Sequence, residues 1–265
     1  MFRSTPQPVG VILFLPELDG TAHSAAGYCQ PLIEAGFAVV SVELAVINEV
    51  SGGGVDTAGR SAIPIHWTSE ADLLYVEAAL HFVGDHPDLG DLPLGIFGVS
   101  RGATAAIATA GRHPEIQALV TDSGYSSMGL TRSFIDRFGR QLIPEWLFDR
   151  LPGWHIRKAL WDAFRLSEKA RGVRYVHIER EPEATNAPAL LIRGSRDSYV
   201  TAEATERLAS QLPSATIWTV KRAKHNRPRF VAPDEYREKT VAHFDRALKI
   251  DRTIEQFEPQ RQDVA

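Results

Sequence analysis

The feature that most constrains the fold is a serine flanked by glycines at residues 98–102, whose sequence is Gly-Val-Ser-Arg-Gly. A short apolar run, Leu94–Val99, leads into Ser100, and an alanine-rich run at 103–112 follows it. This order predicts a strand, a sharp turn with the serine at its apex, and a helix. The flanking glycines allow neighbouring backbone to approach closely, and the helix would direct its first N–H groups toward the serine.

Other apolar runs have the length and the flanking residues of buried strands, at 9–15, 37–42, 116–121, 189–192 and 217–220. Helix-length segments separate these runs. The alternation predicts an α/β fold with right-handed crossovers and a mostly parallel central sheet between helices.

The clearest predicted helix spans residues 70–83, because its apolar residues recur at helical spacing. These are Ala71, Leu74, Tyr75, Ala78, Ala79, Phe82 and Val83. Thr68 or Ser69 is the expected N-cap, and Gly84 the expected stop.

A segment at 124–187 interrupts the alternation of strands and helices. It is rich in aromatic residues and arginines, and Pro144 and Pro152 break it into pieces. We interpret it as a helical cap over the carboxyl edge of the sheet. The core is then 1–123 and 188–250, residues 251–265 form a polar tail, and the glycine-rich stretch at 48–61 is a loop. The cap's Trp and Phe residues suit an apolar pocket, and its arginines suit an anionic leaving group.

Composition excludes several classes of protein. With 44% hydrophobic residues the chain can bury a substantial core, and a net charge of −4 gives no reason to expect nucleic acid or an anionic membrane as a partner. No apolar run is long enough to span a membrane. The one cysteine, Cys29, cannot form an intrachain disulfide, so we expect a cytoplasmic protein. The sequence leaves the oligomeric state open.

A serine nucleophile needs a neighbouring base, usually a histidine that a carboxylate orients. Asp197 follows the predicted strand at 189–192, and His225 follows the strand at 217–220. Ser100, Asp197 and His225 therefore all lie at the carboxyl ends of parallel strands, where open α/β sheets place their sites. We interpret them as a catalytic triad.

Each of these assignments has an alternative. Ser100 also fits a plain turn serine. Asp197 also fits an N-cap of the next helix or a solvated turn aspartate, and Asp122, which also ends a strand, is the alternative acid. His225 also fits an ordinary loop histidine, while His243 lies within a helix and looks structural. The histidines show no paired ligand spacing, so no metal is expected.

The chain resembles the α/β hydrolases over nearly its whole length. Residues 98–102 resemble the nucleophile elbow, 191–197 the segment that bears the acid, and 224–226 the histidine loop. Residues 122–127 are similar to a segment of lysophospholipase-like esterases and depalmitoylases. The resemblance implies a serine hydrolase that cleaves a small-molecule ester or thioester through an acyl-enzyme intermediate, without a cofactor. It also implies an oxyanion hole formed by the backbone N–H groups of Arg101 and Leu18.

Two departures from the family pattern keep other functions open. Residues 16–20, Pro-Glu-Leu-Asp-Gly, stand where the family usually has His-Gly, and the antiparallel strand pair that often begins the fold is missing. The second departure predicts a shorter sheet or a natural N terminus further upstream. The alternatives are an acyltransferase or peptidase with the same triad, or a non-catalytic hydrolase-like binding protein.

Overall fold

The computed structural model describes residues 1–18, 20–44, 67–142, 144–180 and 185–251. Within these ranges the side chains of Arg140, Leu142, Glu145 and Phe148 are not described. The predicted loop at 48–61 and the predicted tail beyond 251 lie outside the described residues.

The described strands form one parallel sheet, as the sequence predicts. They are β1 (Val11–Leu15), β2 (Ala38–Ser41), β3 (Leu94–Val99), β4 (Ile116–Asp122), β5 (Ala189–Gly194) and β6 (Ala215–Val220). Their order across the sheet is β2-β1-β3-β4-β5-β6, and every neighbouring pair is parallel. An isolated antiparallel bridge pairs Phe2 with Val39 of the edge strand β2.

Helices follow the strands along the chain. They are α1 (Ser24–Glu34), α2 (Glu70–Asp85), α3 (Arg101–Arg112), α4 (Ser127–Leu142), α5 (Glu145–Phe148), α6 (Gly153–Arg171), α7 (Ala202–Ala209), α8 (Pro228–Val231) and α9 (Pro233–Ala247). The strands and the two helices whose bounds the sequence predicts, α2 and α3, end within three residues of those bounds. No helix among these described residues is both long and apolar enough to cross a bilayer.

Both faces of the central strands β1 and β3 are buried, which explains why their sequences are continuously apolar. Along β1, Val11, Leu13 and Leu15 point into one hydrophobic cluster, and Ile12 and Phe14 into another on the opposite face. Successive side chains of a strand alternate between its faces, so a strand covered on both sides has no polar positions. The sheet therefore holds its carboxyl edge at a fixed place between two packed layers.

Only part of the apolar set that predicts α2 is buried: Val83 packs into the core, whereas the three largest other members of the set face solvent. Leu74, Tyr75 and Phe82 are 69%, 41% and 48% exposed. The helix instead buries Leu73 and Val76 on its adjoining face. Almost every α2 position near these residues is apolar or alanine, so spacing alone does not select the face that packs.

A buried ion pair accounts for the orientation of α2. The side chain of Asp72, in its first turn, is fully buried and accepts hydrogen bonds at 2.7 Å from the guanidinium of Arg101, which is also buried. The backbone N–H and the hydroxyl of Ser69 donate to the same carboxylate, so Ser69 is the N-cap of α2. Thr68 donates its hydroxyl to the carbonyl of Arg101. These contacts join α2 to the start of α3, directly after Ser100.

Replacing Asp72 with alanine should lower the free energy of unfolding by about 3–5 kcal/mol, because it leaves the Arg101 charge buried without its carboxylate. The matched control is Asp88→Ala, which breaks the half-exposed pair with Arg3 and should cost less than about 1 kcal/mol. Urea denaturation of both variants measures the difference. Equal losses would contradict a structural role for the buried pair.

Candidate active site

The backbone at Ser100 has the strained geometry predicted for a turn between strand and helix. Its φ is +52°, in the region that side chains usually avoid. The two glycines around it make the turn possible. A Cβ on Gly98 would lie 2.3 Å from the carbonyl oxygen of Gly102, and one on Gly102 would lie 2.3 Å from that of Leu15. The second contact brings the end of β1 against the turn.

Ser100, His225 and Asp197 lie within hydrogen-bond distance of one another in series. The hydroxyl Oγ of Ser100 is 3.0 Å from Nε2 of His225, and Nδ1 of His225 is 2.7 Å from Oδ2 of Asp197. Since an ionised carboxylate can only accept, Nδ1 carries the proton and Nε2 presents a lone pair to the serine. The structure thus brings together all three residues of the predicted triad.

The other oxygen of Asp197 holds the carboxylate in place. It accepts hydrogen bonds from the backbone N–H groups of Tyr199 and Val200, at 2.8 and 2.9 Å. The side chain of Asp197 has no exposed surface, whereas 19% of the His225 side chain is exposed. The acid is therefore enclosed and oriented, while the imidazole remains accessible from the cavity.

The loops that carry Asp197 and His225 are packed backbone against backbone. A Cβ on Gly194 would lie 2.3 Å from the carbonyl oxygen of Ala223, so a larger residue would force the loops apart. The backbone N–H of Arg196 donates to that same carbonyl at 2.9 Å. This contact explains why a glycine precedes the acid, and it sets the separation of the acid and the histidine.

Asp122, the alternative acid, makes no hydrogen bond to His225. Its carboxylate is fully buried and accepts hydrogen bonds from the hydroxyls of Ser123 and Tyr236, at 2.9 and 3.0 Å. The Ser123 hydroxyl in turn accepts the backbone N–H of Asn226 at 3.0 Å. Asp122 is thus connected to the histidine loop through Ser123, not to the imidazole.

Burial raises the pKa of Asp122 to about 7, although the hydrogen bonds from Ser123 and Tyr236 act in the opposite direction. A carboxyl group removed from water favours its neutral form. This group therefore titrates near neutral pH in the folded protein.

A cavity of about 440 Å³ opens at the serine. Ser100, His225 and Leu18 all line it. The backbone of Arg101, the first residue of α3, directly follows the serine, and first-turn N–H groups have no acceptor within their own helix. The two predicted oxyanion donors therefore both belong to segments beside Ser100.

The aromatic lining of the cavity differs from the prediction. Of the Trp and Phe residues of the predicted cap, the cavity lining includes Phe134 of α4. Tyr125, also within the predicted cap, lines the cavity too, together with Trp67 and Tyr199, to which the sequence assigned no role. The sequence signal for Tyr199 was its position two residues after Asp197, the predicted acid. No sequence signal pointed to Trp67.

Helix α4, which lies within the predicted cap, contacts the site. Leu130, Thr131 and Phe134 of this helix line the cavity, and Arg137 donates to the carbonyl of Ser198 in the acid loop at 3.1 Å. Arg132 pairs instead with Asp136 on its own helix. The boundaries of the cap at 124 and 187 remain a prediction.

The sequence also predicts a structural role for His243 and no metal site among the histidines. His243 lies in α9, where its Nε2 is 3.2 Å from the carbonyl oxygen of Pro188. In the part of the chain that the structure describes, no group of three or more His, Cys, Asp or Glu side chains is placed to hold a metal ion.

The parallel sheet, the flanking helices and the strand-turn-helix at Ser100 are those of an α/β hydrolase. Residues 71–212 match the family model described as BAAT / acyl-CoA thioester hydrolase C terminal. The match covers more than half of the chain, and the protein belongs to this family. It includes Ser100 and Asp197 but ends before His225. A search of curated proteins gave no significant match.

Solved structures with the same fold include several esterases. An esterase of Pyrococcus furiosus is 20% identical, with a TM-score of 0.60 over 91% of this chain and 83% of that one. An esterase domain from Rhodothermus marinus is 16% identical, with a TM-score of 0.57 over 94% and 91%. Est1E from Butyrivibrio proteoclasticus is also 16% identical, with a TM-score of 0.55 over 90% of each chain. At these identities the likeness concerns the fold.

The raised pKa of Asp122 predicts that stability depends on pH in a particular direction. The unfolded chain has the ordinary value of 3.8 and the folded protein about 7, so the folded state binds the additional proton between them. The contribution of Asp122 to the free energy of unfolding is therefore complete below the lower value and is lost as pH rises to the upper one. The slope is at most about 1.4 kcal/mol per pH unit.

Asp122→Asn keeps the shape and removes the titration. Urea denaturation of wild type and variant, compared across this pH range, should show wild type losing stability relative to the variant as pH rises. Parallel curves would contradict the shift.

Proposed function

We propose that the protein is a serine hydrolase that cleaves a carboxylic ester or thioester through an acyl-enzyme intermediate. The observation that carries the proposal is the continuous hydrogen-bond series from Ser100 through His225 to the buried Asp197. A hydroxyl, an imidazole and a carboxylate in this order are the groups that nucleophilic acyl transfer requires.

In the first half of the reaction, His225 Nε2 accepts the proton of Ser100 as Oγ attacks the acyl carbon. The carbonyl oxygen becomes an oxyanion, which the backbone N–H groups of Arg101 and Leu18 stabilise. These donors are main-chain groups, so the unusual side chains at 16–20 do not remove them.

The imidazolium of His225 then donates its proton to the departing alcohol or thiol, and an acyl ester on Ser100 remains. In the second half, His225 accepts a proton from water, the resulting hydroxide attacks the acyl carbon, and Ser100 recovers its proton as the acid departs. Asp197 holds the imidazole in its working tautomer and stabilises its charged form. No step needs a cofactor or a metal ion.

The cavity supports an apolar acyl group as the part of the substrate beside the serine. Trp67, Tyr125, Leu130 and Phe134 are among its lining residues, and a volume of about 440 Å³ is in the ordinary range for small-molecule sites. The family description names acyl-CoA thioester hydrolases, which favours a thioester over an oxygen ester.

Wild type should react with a fluorophosphonate probe, and Ser100→Ala should neither react nor turn over substrate, because the nucleophile is gone. The control is Ser210→Ala, an exposed serine at the end of α7, which should behave as wild type. Labelling is read by mass spectrometry. Failure to label wild type, or equal labelling of Ser100→Ala, would indicate a non-catalytic binding protein instead.

The substrate class is tested by comparing turnover of acyl-CoA thioesters, oxygen esters of graded acyl length and aminoacyl amides. Hydrolysis of the thioesters with release of free acid supports the proposal. Preferential cleavage of the amides would indicate a peptidase. Transfer to an added alcohol or amine in preference to water would indicate an acyltransferase.

Asp197→Asn should lower kcat by about 10⁴-fold, because the imidazole then adopts the wrong tautomer. Asp122→Asn should cost less than about tenfold, since Asp122 makes no hydrogen bond to the ring. Steady-state kinetics on one substrate compares them. The reverse ranking would make Asp122 the catalytic acid.

A further inference from the structure

Four large apolar side chains are exposed within the predicted cap, along residues 138–154. These side chains are Phe138, Trp146, Leu147 and Trp154, which we call the aromatic cap surface. The two tryptophans are 63% and 55% exposed, and the other two residues are each 41% exposed. Scattered apolar residues are normal on a protein surface, but several large ones within seventeen positions indicate contact with a partner.

The charge of the same region differs from that of the whole chain. Residues 127–171, from the start of α4 to the end of α6, contain nine Lys or Arg and five Asp or Glu. The segment therefore carries a net charge of +4, while the whole chain carries −4. The net charge of the whole chain gives no reason to expect an anionic membrane as a partner. The positive charge of residues 127–171 does, because electrostatic attraction depends on the local charge.

The cations lie close to the exposed rings. The guanidinium of Arg137 is 5.3 Å from the ring centre of Phe138, and that of Arg150 is 5.9 Å from the ring centre of Trp146. Tryptophan with adjacent arginine is suited to the boundary between lipid headgroups and acyl chains, where apolar bodies are buried and cations meet phosphate.

A row of aromatic rings connects the aromatic cap surface with the catalytic histidine. Phe138 stacks on Phe134, with ring centres 6.0 Å apart and an angle of 18° between the rings. Phe134 lines the cavity and meets Tyr199 edge to face at 6.4 Å, and Tyr199 lies 5.2 Å from the His225 ring. Through Phe138, the aromatic cap surface is thus connected to the apolar wall of the cavity.

We propose that the aromatic cap surface docks the protein onto an anionic lipid bilayer as a peripheral contact, beside the mouth of the Ser100 cavity. The charge favours this occupant over a second copy of the chain, because a symmetric contact would bring two regions of charge +4 together. The docking itself does not depend on the proposed chemistry.

Flotation with vesicles tests the proposal. Wild type should float with vesicles of equal parts phosphatidylcholine and phosphatidylglycerol at low salt, and far less with phosphatidylcholine alone or at high salt. The double variant Trp146→Ser/Trp154→Ser should lower the partition coefficient by at least about tenfold. Arg150→Gln/Arg157→Gln, a second variant that removes charge without removing apolar area, should weaken the preference for the anionic vesicles.

The matched control is Leu74→Ser/Phe82→Ser on α2, which removes side chains of comparable exposure away from the cap and should change the partition coefficient less than about twofold. Equal loss in this control would overturn the assignment to the cap, as would binding that is indifferent to lipid charge. Absence of vesicle binding would also overturn the proposal, and a dimer that the tryptophan variant dissociates would then identify a second copy as the occupant. Repeating the flotation with Ser100→Ala separates docking from catalysis. This variant should lose turnover and keep the wild-type partition coefficient.

Discussion

The structure depends on the close approach of three backbone segments around Ser100. Gly98 and Gly102 let the end of β3, the start of α3 and the end of β1 come nearer than any side chain would allow. The backbone N–H of Ser100 also donates to the carbonyl of Asp122 at 2.8 Å, which ties the turn to β4. A serine with φ of +52° persists only because these contacts over-determine its conformation. The hydroxyl is consequently placed by the packing of the sheet and not by its own rotamer preference.

Buried charge is placed on both sides of this turn. The Asp72–Arg101 pair joins the start of α3 to α2, and Asp122 holds the histidine loop through Ser123. Such groups are costly to remove from water and contribute to folding only when their partners are correctly placed. The first set of contacts reaches the backbone of Arg101, beside the proposed nucleophile, and the second reaches the backbone of Asn226, beside the proposed base. The same contacts that stabilise the fold thus set the geometry from which we infer the chemistry.

Much of the fold could be predicted, since its signals are local. Apolar runs bounded by proline or glycine marked the strands, and the glycines at 98 and 102 marked the turn, because each reflects a steric or burial requirement of its own neighbourhood. The packed face of α2 could not be predicted, because Leu73 and Leu74 are equally apolar and the choice follows from Asp72 meeting Arg101, 29 positions away. The aromatic residues of the cap were mispredicted for the same reason. Phe134 and Phe138 are four positions apart on α4, yet only Phe134 lines the cavity that the structure describes around Ser100.

The sequence by itself determined a parallel sheet between helices, and it determined that a serine, an acid and a histidine follow the ends of three strands. It did so because apolar runs and the turn residues after them set where each strand ends. Only the tertiary structure decided that Asp197 and not Asp122 meets the imidazole, and that Trp146 and Trp154 face solvent. Both outcomes depend on how separate loops and helices pack in space. That packing is a balance among non-local contacts of similar energy, which no short stretch of the chain encodes alone.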